Sequence, residues 1–143
     1  MTIGLLGMRR AFGERVDYMG GKLCISHGGA TIHIEPVQLT HVRECQMADP
    51  LYQDDEIFHL LQLADHFWML GPMVDGALGA VNTLLKAHPE IAVSSSVVQR
   101  MPWRMRQRGA LGLRLWPIAG FGRFPNADLE PLGIKELGDG RRH

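Results

Sequence analysis

The stretch RVDYMGGKLCISHGGATIHIE, residues 15–35, decides the fold of the N-terminal third of the chain. It contains two Gly-Gly pairs, at 20–21 and 28–29, each placed where a two-residue hairpin turn requires positive backbone φ. Glycine adopts that conformation without strain, so each pair predicts a tight hairpin. The sequence therefore predicts a three-stranded antiparallel meander.

Counting outward from the two turns shows which side chains share a face of this meander, because successive residues of a strand point to opposite faces. The apolar face collects Val16, Tyr18, Leu23, Ile25, Ile32 and Ile34. The polar face has three rows: Arg15–Ser26–Thr31, Asp17–Cys24–His33 and Met19–Lys22–Glu35. Lys22 and Glu35 form an opposite-charge cross-strand pair, which modestly stabilises a sheet.

Length and composition indicate a single globular domain. The chain has 143 residues and is 45% apolar, and Cys24 and Cys45 are its two cysteines. This is enough for one core and too few cysteines for a disulfide framework. The N-terminal residues lack the leading positive charge of a signal peptide, and no run of about 18 uncharged apolar residues predicts a membrane span. We expect a cytoplasmic protein, or one assembled into a particle.

Charge is segregated along the chain although the formal net charge is zero. Residues 44–75 carry seven acidic residues and no lysine or arginine, whereas residues 86–124 carry seven basic residues and one acidic residue. Such asymmetry predicts an acidic or polyanionic partner, or contact between the two segments within the fold or across a subunit interface.

The rest of the chain predicts helices more than strands. A fourth strand at 2–8 and a short helix at 38–48 fit the local pattern. Two longer helices are predicted at 54–70 and 73–88, where apolar residues recur at helical spacing. Because their connection is short, we expect an antiparallel helix pair packed on the apolar face of the meander.

The C-terminal third is predicted to contain a basic ribbon and a tail. Ser94 to Ser96 suit the N-cap of a short helix, and residues 97–116 form either a basic hairpin or a basic helix, the alternation favouring the hairpin. A glycine-aromatic loop follows at 118–125, and 126–143 is expected to be a loosely structured tail. The predicted fold is one α+β domain over 1–125: a meander of three or four strands, two central helices and a C-terminal basic element.

The strongest candidate site is the stretch in which arginines interleave with tryptophans. Arginine binds carboxylate or phosphate with two donors, and exposed aromatic rings anchor protein interfaces or stack on bases. The partner-binding residues that we predict are Arg100, Trp103, Arg104, Arg106, Arg108, Arg114, Trp116 and Arg123.

A second candidate is the polar row of Asp17, Cys24 and His33. An imidazole beside a thiol can hold it as thiolate, the nucleophilic form. Here the carboxylate flanks the cysteine rather than the imidazole, where it opposes thiolate formation. We therefore interpret these as ordinary residues of the polar face, and predict no catalytic residue.

Cys24, His27, His41 and Cys45 provide a third candidate: Cys-x2-His, thirteen residues, then His-x3-Cys. This spacing resembles a zinc-finger module over residues 23–46, with Cys-His before His-Cys where two cysteines usually come first. The resemblance implies a structural zinc, since four protein ligands leave no open position. Our primary interpretation is that no cofactor is bound, because Cys24 and His27 point to opposite faces of a regular strand.

The fourth candidate is a stripe on the predicted helix at 54–70. Asp55, His59, Gln62 and His66 lie at helical spacing opposite its apolar face. Two of them, one turn apart, could reach a metal ion, but a solvated helix face is the simpler interpretation.

These patterns favour a non-enzymatic interaction or assembly protein. It would dock an acidic partner surface, or self-associate through segments 44–75 and 86–124, as a viral structural subunit or a small protein inhibitor does. The alternative is a nucleic-acid-binding module, with or without zinc, although a pI near 7.1 is unlike a dedicated one. A Cys/His-dependent enzyme is the third hypothesis.

Overall fold

The predicted meander is present with the predicted register. The structure, a computed structural model, describes residues 14–48, 57–108 and 118–139. Strands β1 (Arg15–Met19), β2 (Lys22–His27) and β3 (Ala30–Ile34) form an antiparallel sheet in that order. The predicted strand pairs are found, for example Val16 opposite Ile25 and Ile25 opposite Ile32, and Lys22 and Glu35 form an ion pair at 3.8 Å. The four turn glycines have φ between +56° and +83°, which confirms the basis of the prediction.

Six further strands form a second, mixed sheet. They are β4 (His41–Met47), β5 (Phe58–Gln62), β6 (His66–Leu70), β7 (Val93–Val98), β8 (Phe121–Pro125) and β9 (Ile134–Asp139). Their order is β8-β6-β5-β4-β7-β9, and of these neighbours β4 and β7 are parallel while the others are antiparallel.

The described part of the chain also contains one α-helix, α1 (Ala77–Ala87), and three 3-10 helices, at Pro36–Gln38, Trp103–Met105 and Asn126–Leu132. The protein is therefore α+β as predicted, but mostly β rather than helix-packed. The expected fourth strand at 2–8 lies outside the described residues.

The six-stranded sheet separates two hydrophobic cores. On one face, α1 and the meander cover residues such as Trp68 and Leu70. On the other face lie Phe58, Leu60, Phe67 and Met69, packed against Met101, Met105 and Leu132. Because side chains alternate along each strand, the middle strands must supply apolar residues to both cores.

The predicted helices at 38–48 and 54–70 are wrong. The first region forms β4, and the described part of the second forms the hairpin of β5 and β6. Residues 58–61 of β5 are all buried at 2% exposure or less. A strand buried on both faces is an uninterrupted apolar run, which periodicity alone does not separate from a buried helix.

The helix predicted at 73–88 is confirmed as α1, with a later start. Gly76 precedes it with φ of +75°, and a Cβ there would lie 2.5 Å from the Val16 carbonyl oxygen. The backbone therefore approaches β1 closely before the helix begins. Within the described residues, the one α-helix that packs on the meander is α1, where a helix pair was predicted.

The C-terminal expectations also need correction. Ser94 to Ser96 lie inside β7 instead of capping a helix, and the glycine-aromatic loop is largely β8. The expected loose tail contains β9, which pairs with β7 at the edge of the sheet. Leu132 anchors this region because its side chain is fully buried in the second core.

Gly71 and Gly79 give a matched test of backbone packing. A Cβ at Gly71 would lie 2.1 Å from the Ala119 carbonyl oxygen, whereas at Gly79 no atom lies within 4 Å. We expect Gly71→Ala to lower the free energy of unfolding by about 3 kcal/mol, because backbone must move. Gly79→Ala is expected to raise it by about 0.5 kcal/mol through helix propensity. Urea unfolding measures both, and equal midpoints would contradict the close approach.

Buried His59 predicts acid sensitivity. Its side chain is 2% exposed, and burial lowers its pKa to about 4. In the unfolded chain a histidine pKa is about 6.5, so the unfolded state binds more protons between these values. Stability is complete above the unfolded pKa and falls as the pH drops towards 4. From pH 7 to pH 5 we expect a loss of about 2 kcal/mol from this group.

His59→Gln removes that titration and is expected to flatten the pH dependence of the free energy of unfolding between pH 5 and pH 7. The variant His33→Gln, which removes an exposed histidine, is the control with which the slope of His59→Gln is compared. If His59→Gln showed the same slope as the control, His59 would not be the acid-sensitive group.

Candidate partner-binding surface

The basic segment, residues 100–108, packs on the face of the larger sheet opposite the meander and α1. Met101 and Met105 are 3% and 1% exposed and lie in the second core. The Gln107 amide donates to the Ile118 carbonyl at 2.7 Å, and the Gly120 amide donates to the Met105 carbonyl at 2.8 Å. The segment is therefore an anchored element rather than a free loop.

Trp103 begins the one-turn 3-10 helix of this segment, and its side chain is 63% exposed. Tryptophan is highly buried on average in folded proteins, so a largely exposed indole on an anchored backbone is unusual. Tryptophan and arginine are also the residues most enriched at the centres of protein interfaces. This makes Trp103 the principal feature of the surface.

The arginines around Trp103 contact different elements. Arg100 Nε donates to the Pro131 carbonyl at 3.0 Å, and Arg106 Nε donates to the Met101 carbonyl at 2.9 Å. Arg104 Nη2 lies 2.6 Å from Asp128 Oδ2, and its guanidinium lies 5.6 Å from the centre of the Phe124 ring. These contacts orient the guanidinium groups and tie the segment to the C-terminal part of the chain.

The predicted basic hairpin is partly testable. Residues 103–105 are a 3-10 helix instead of a strand, and Arg106 forms an isolated antiparallel bridge with Ala119. Arg114 and Trp116 lie outside the described residues. Arg123 is exposed on β8 and, by strand alternation, points to the face opposite Phe124. Arg123 therefore shares a face of β8 with Phe121, which lines the pocket beside Arg106 and Arg108, whereas Arg104 contacts Phe124 on the other face.

A pocket of about 160 Å³ lies at the end of the basic segment. It is lined by Glu14, His27, Arg106, Gln107, Arg108, Gly120 and Phe121. The rings of His27 and Phe121 are 5.0 Å apart, and His27 Nδ1 lies 3.5 Å from Glu14 Oε2. Burial raises the pKa of Glu14, and the nearby His27 and Arg108 partly oppose that shift. The pocket thus joins the meander to the basic segment.

Asp65 of the acidic segment lies close enough to Arg123 of the basic segment for the arginine charge to affect its pKa. The hydrogen bond from His66 and, to a lesser degree, the charge of Arg123 lower the pKa of Asp65. The ion pair of Arg104 instead uses Asp128, which lies outside residues 44–75.

The polar row on the meander is assembled as predicted for an unbroken strand. Cys24 Sγ lies 3.3 Å from His33 Nδ1. Asp17 accepts from Arg15 Nε at 3.0 Å and lies across from Cys24 on the side away from His33. The carboxylate therefore does not orient the imidazole as the acid of a catalytic triad does.

The four zinc candidates are not brought together. Cys24 and His27 lie on β2 of the meander, whereas His41 and Cys45 lie on β4 of the larger sheet. Cys45 is fully buried in the second core, and that burial raises its pKa. Across the described ranges, no three His, Cys, Asp or Glu side chains are arranged to hold one metal ion.

The predicted stripe of Asp55, His59, Gln62 and His66 is wrong because the helix is a hairpin. Asp55 lies outside the described residues. His59 is buried, Gln62 accepts from Arg43 Nη1 at 2.6 Å, and His66 Nδ1 lies 2.6 Å from Asp65 Oδ1. These three side chains therefore lie in three different environments instead of on one helix face.

Sequence analysis missed a polar network centred on Glu136 of β9. The Glu136 carboxylate accepts from Ser94 Oγ at 2.7 Å, from Ser96 Oγ, and from Arg43 Nε at 3.0 Å. His41 Nε2 lies 2.7 Å from Ser94 Oγ. Burial would raise the pKa of Glu136, but these hydrogen bonds hold it below the ordinary value.

The hydrogen bond between Ser94 and His41 runs in the opposite direction to the one between a nucleophilic serine and its catalytic base. Since the Ser94 hydroxyl donates to Glu136, the proton between His41 and Ser94 must belong to His41 Nε2. A catalytic imidazole accepts the serine proton instead. Burial and, secondarily, Arg43 lower the pKa of His41. The network therefore stabilises the contact of β9 with β4 and β7.

No local pattern identifies this network, because His41 and Ser94 are 53 residues apart in the chain. The available signal was the alternation of Ser94 and Ser96 with their neighbours, which fits a strand as well as the cap that we predicted.

Three comparisons with known proteins found no match for the chain: none among the protein-family models, none among the curated proteins and none among the solved structures. Within the described ranges, no helix has the length and hydrophobicity that crossing a bilayer requires.

The Glu136 network predicts a stability effect. Glu136→Ala leaves the hydroxyl of Ser96, which is 2% exposed, without its carboxylate acceptor. We expect the free energy of unfolding to fall by about 2 kcal/mol, the usual cost of a buried hydroxyl without its partner. Lys135→Ala, an exposed neighbour on the same strand, should change it by less than about 0.5 kcal/mol. Denaturant unfolding that gave similar values for both variants would contradict the role of the network.

Proposed function

We propose that the protein is a non-enzymatic interaction protein that docks an acidic protein surface through the basic segment. The observation that carries this proposal is Trp103, which is 63% exposed on a backbone anchored by two buried methionines. Binding by such an element loses little conformational entropy, because its backbone is already ordered.

The charges around Trp103 support an acidic partner. Arg100, Arg104 and Arg108 are exposed, and arginine recognises carboxylates with two parallel donors. Arg106 and Arg108 extend the surface into the pocket beside His27. Exposed cations in the same segment as an apolar anchor fit a partner with an apolar side chain flanked by aspartate or glutamate.

An assembly subunit and a small protein inhibitor would both use such a surface, and both remain within this proposal. The alternative is nucleic-acid binding, for which the same arginines would contact phosphates and Trp103 would stack on a base. The balanced charge of the chain favours the protein partner, since nucleic-acid-binding domains are usually strongly basic.

A random peptide display library tests the proposal without a known partner. Peptides selected on the protein are expected to combine aspartate or glutamate with an apolar residue. Trp103→Ala should weaken binding of the selected peptides about 30-fold, as loss of a hot-spot side chain does. Leu137→Ala, which removes another exposed apolar side chain (60% exposed) outside the segment, should bind as the wild type does.

Two results would contradict docking of an acidic protein. One is selection of peptides without acidic enrichment, or of peptides that bind Trp103→Ala equally well. The other is tighter binding of a single-stranded oligonucleotide than of any selected peptide at low salt, with affinity falling steeply as salt is added. That second outcome would support the nucleic-acid alternative.

A further inference from the structure

Among the described strands β3 forms an edge of the meander, and four of its five residues are exposed. Its outer side has no neighbour among the strands that the structure describes. Ala30, Thr31, Ile32 and His33 are all exposed, and Ile34 is the one buried residue of the strand. The helix α1 packs mainly on β1, so Ile32 remains 41% exposed although it belongs to the apolar face.

The backbone groups available at this edge follow from the turn. The two-residue turn is closed by His27 and Ala30, so Ala30 and, two residues later, Ile32 direct their N–H and C=O groups towards β2. Thr31 and His33 therefore direct theirs outward. The contact of His33 with Cys24 agrees, because side chains approach most closely in the pairs without hydrogen bonds.

Within the described residues the other sheet edges carry protecting features, whereas β3 carries none of them. Edge strands are usually blocked by charged residues, proline, bulges or a covering element. β8 contains Arg123 and ends at Pro125. β9 contains Lys135, and its pairing with β7 has a register shift. β1 begins with Arg15, which forms a bridge with Asp75. β3, with the sequence ATIHI, has no acidic or basic residue other than histidine and no proline.

We propose that β3 pairs antiparallel with β3 of a second copy of the chain, centred on Ile32, so that two meanders join into one six-stranded sheet. The apolar row Val16–Ile25–Ile32 of one copy then continues directly into Ile32–Ile25–Val16 of the other. This inference goes beyond the proposed function and uses none of the residues of the basic segment.

The centre on Ile32 is selected by overlap, hydrogen bonding and charge. In this register all five residues of β3 are paired, and a shift by one position would reduce the number of paired residues. It places Thr31 opposite His33 of the second copy, so the outward N–H and C=O groups meet as a hydrogen-bonded pair. A centre on His33 would instead place two imidazoles opposite each other, which is unfavourable whenever both are protonated.

The area of this contact determines what kind of dimer to expect. Five residues from each copy bury far less than the roughly 800 Å² per partner of a standard interface. The pairing is therefore a weak association that depends on concentration, in which backbone hydrogen bonds determine the geometry and Ile32 supplies the apolar contact.

Cysteine cross-linking tests the register. With the two-fold axis at residue 32, the two copies of this residue form a pair without hydrogen bonds, with Cα atoms about 4.5 Å apart. That separation is within the range of a disulfide. We expect Ile32→Cys to form a disulfide-linked dimer rapidly under mild oxidation. Thr31→Cys is the matched control: its two copies are offset by two positions, beyond the reach of a disulfide, so it should cross-link at least tenfold more slowly.

Sedimentation equilibrium tests the association itself. The mass of the wild-type protein is expected to rise with concentration towards that of a dimer, whereas Ile32→Lys should remain monomeric. Val37→Lys is the control, because Val37 is 91% exposed and lies just beyond β3; it should associate as the wild type does. Circular dichroism confirms that each variant is folded, which is expected because both sites are exposed.

Equal cross-linking rates for Ile32→Cys and Thr31→Cys would overturn the register, and association unchanged in Ile32→Lys would overturn the edge pairing.

Trp103→Ala separates this inference from the proposed function. It should leave the association intact while weakening peptide binding, so failure of either proposal is recognised independently of the other.

Discussion

The constraint on which the rest of the structure depends is that β5 and β6 of the six-stranded sheet have no solvent face. Residues 58–61 of β5 and 67–70 of β6 are all at most 5% exposed. Both faces therefore need a cover, and a chain of this length has few elements to supply one. The meander and α1 cover one face, and the anchored basic segment with the C-terminal residues covers the other.

This double burial explains which parts of the fold could be predicted from the sequence. The meander was predicted down to its register because its information is local: two Gly-Gly turns set each strand against the next, and one face stays polar. β5 and β6 lack that alternation because both faces are buried, and their apolar runs suggested a helix. α1 was predicted because one of its faces is exposed, which gives a helical period.

The same distinction between local and long-range information explains which polar features were predicted and which were missed. The basic segment was predicted because its arginine and tryptophan residues indicate a binding surface whether the segment is a strand or a helix. The Glu136 network was missed because its members come from β4, β5, β7 and β9, and they meet only after the parallel pairing of β4 with β7. Parallel strands are joined by a long crossover, so no short sequence pattern predicts contacts between their side chains. The same network explains why the C-terminal residues form a strand: its sequence is poor in apolar residues, and the carboxylate of Glu136 supplies hydrogen bonds that apolar packing does not.

The two proposed surfaces are linked through the turn at Gly28 and Gly29. His27, which precedes this turn, lines the pocket at the end of the basic segment, and β3 begins directly after it at Ala30. If two copies pair through β3, their turns lie at opposite ends of the paired strands, because the strands are antiparallel. The dimer would then present two basic segments, related by a two-fold axis, near opposite ends of the paired strands. A partner with repeated acidic sites could engage both, and linked sites raise the overall affinity by 10²–10⁴ without any new contact. Weak edge pairing would then be sufficient for function, since the partner itself would hold the two copies together.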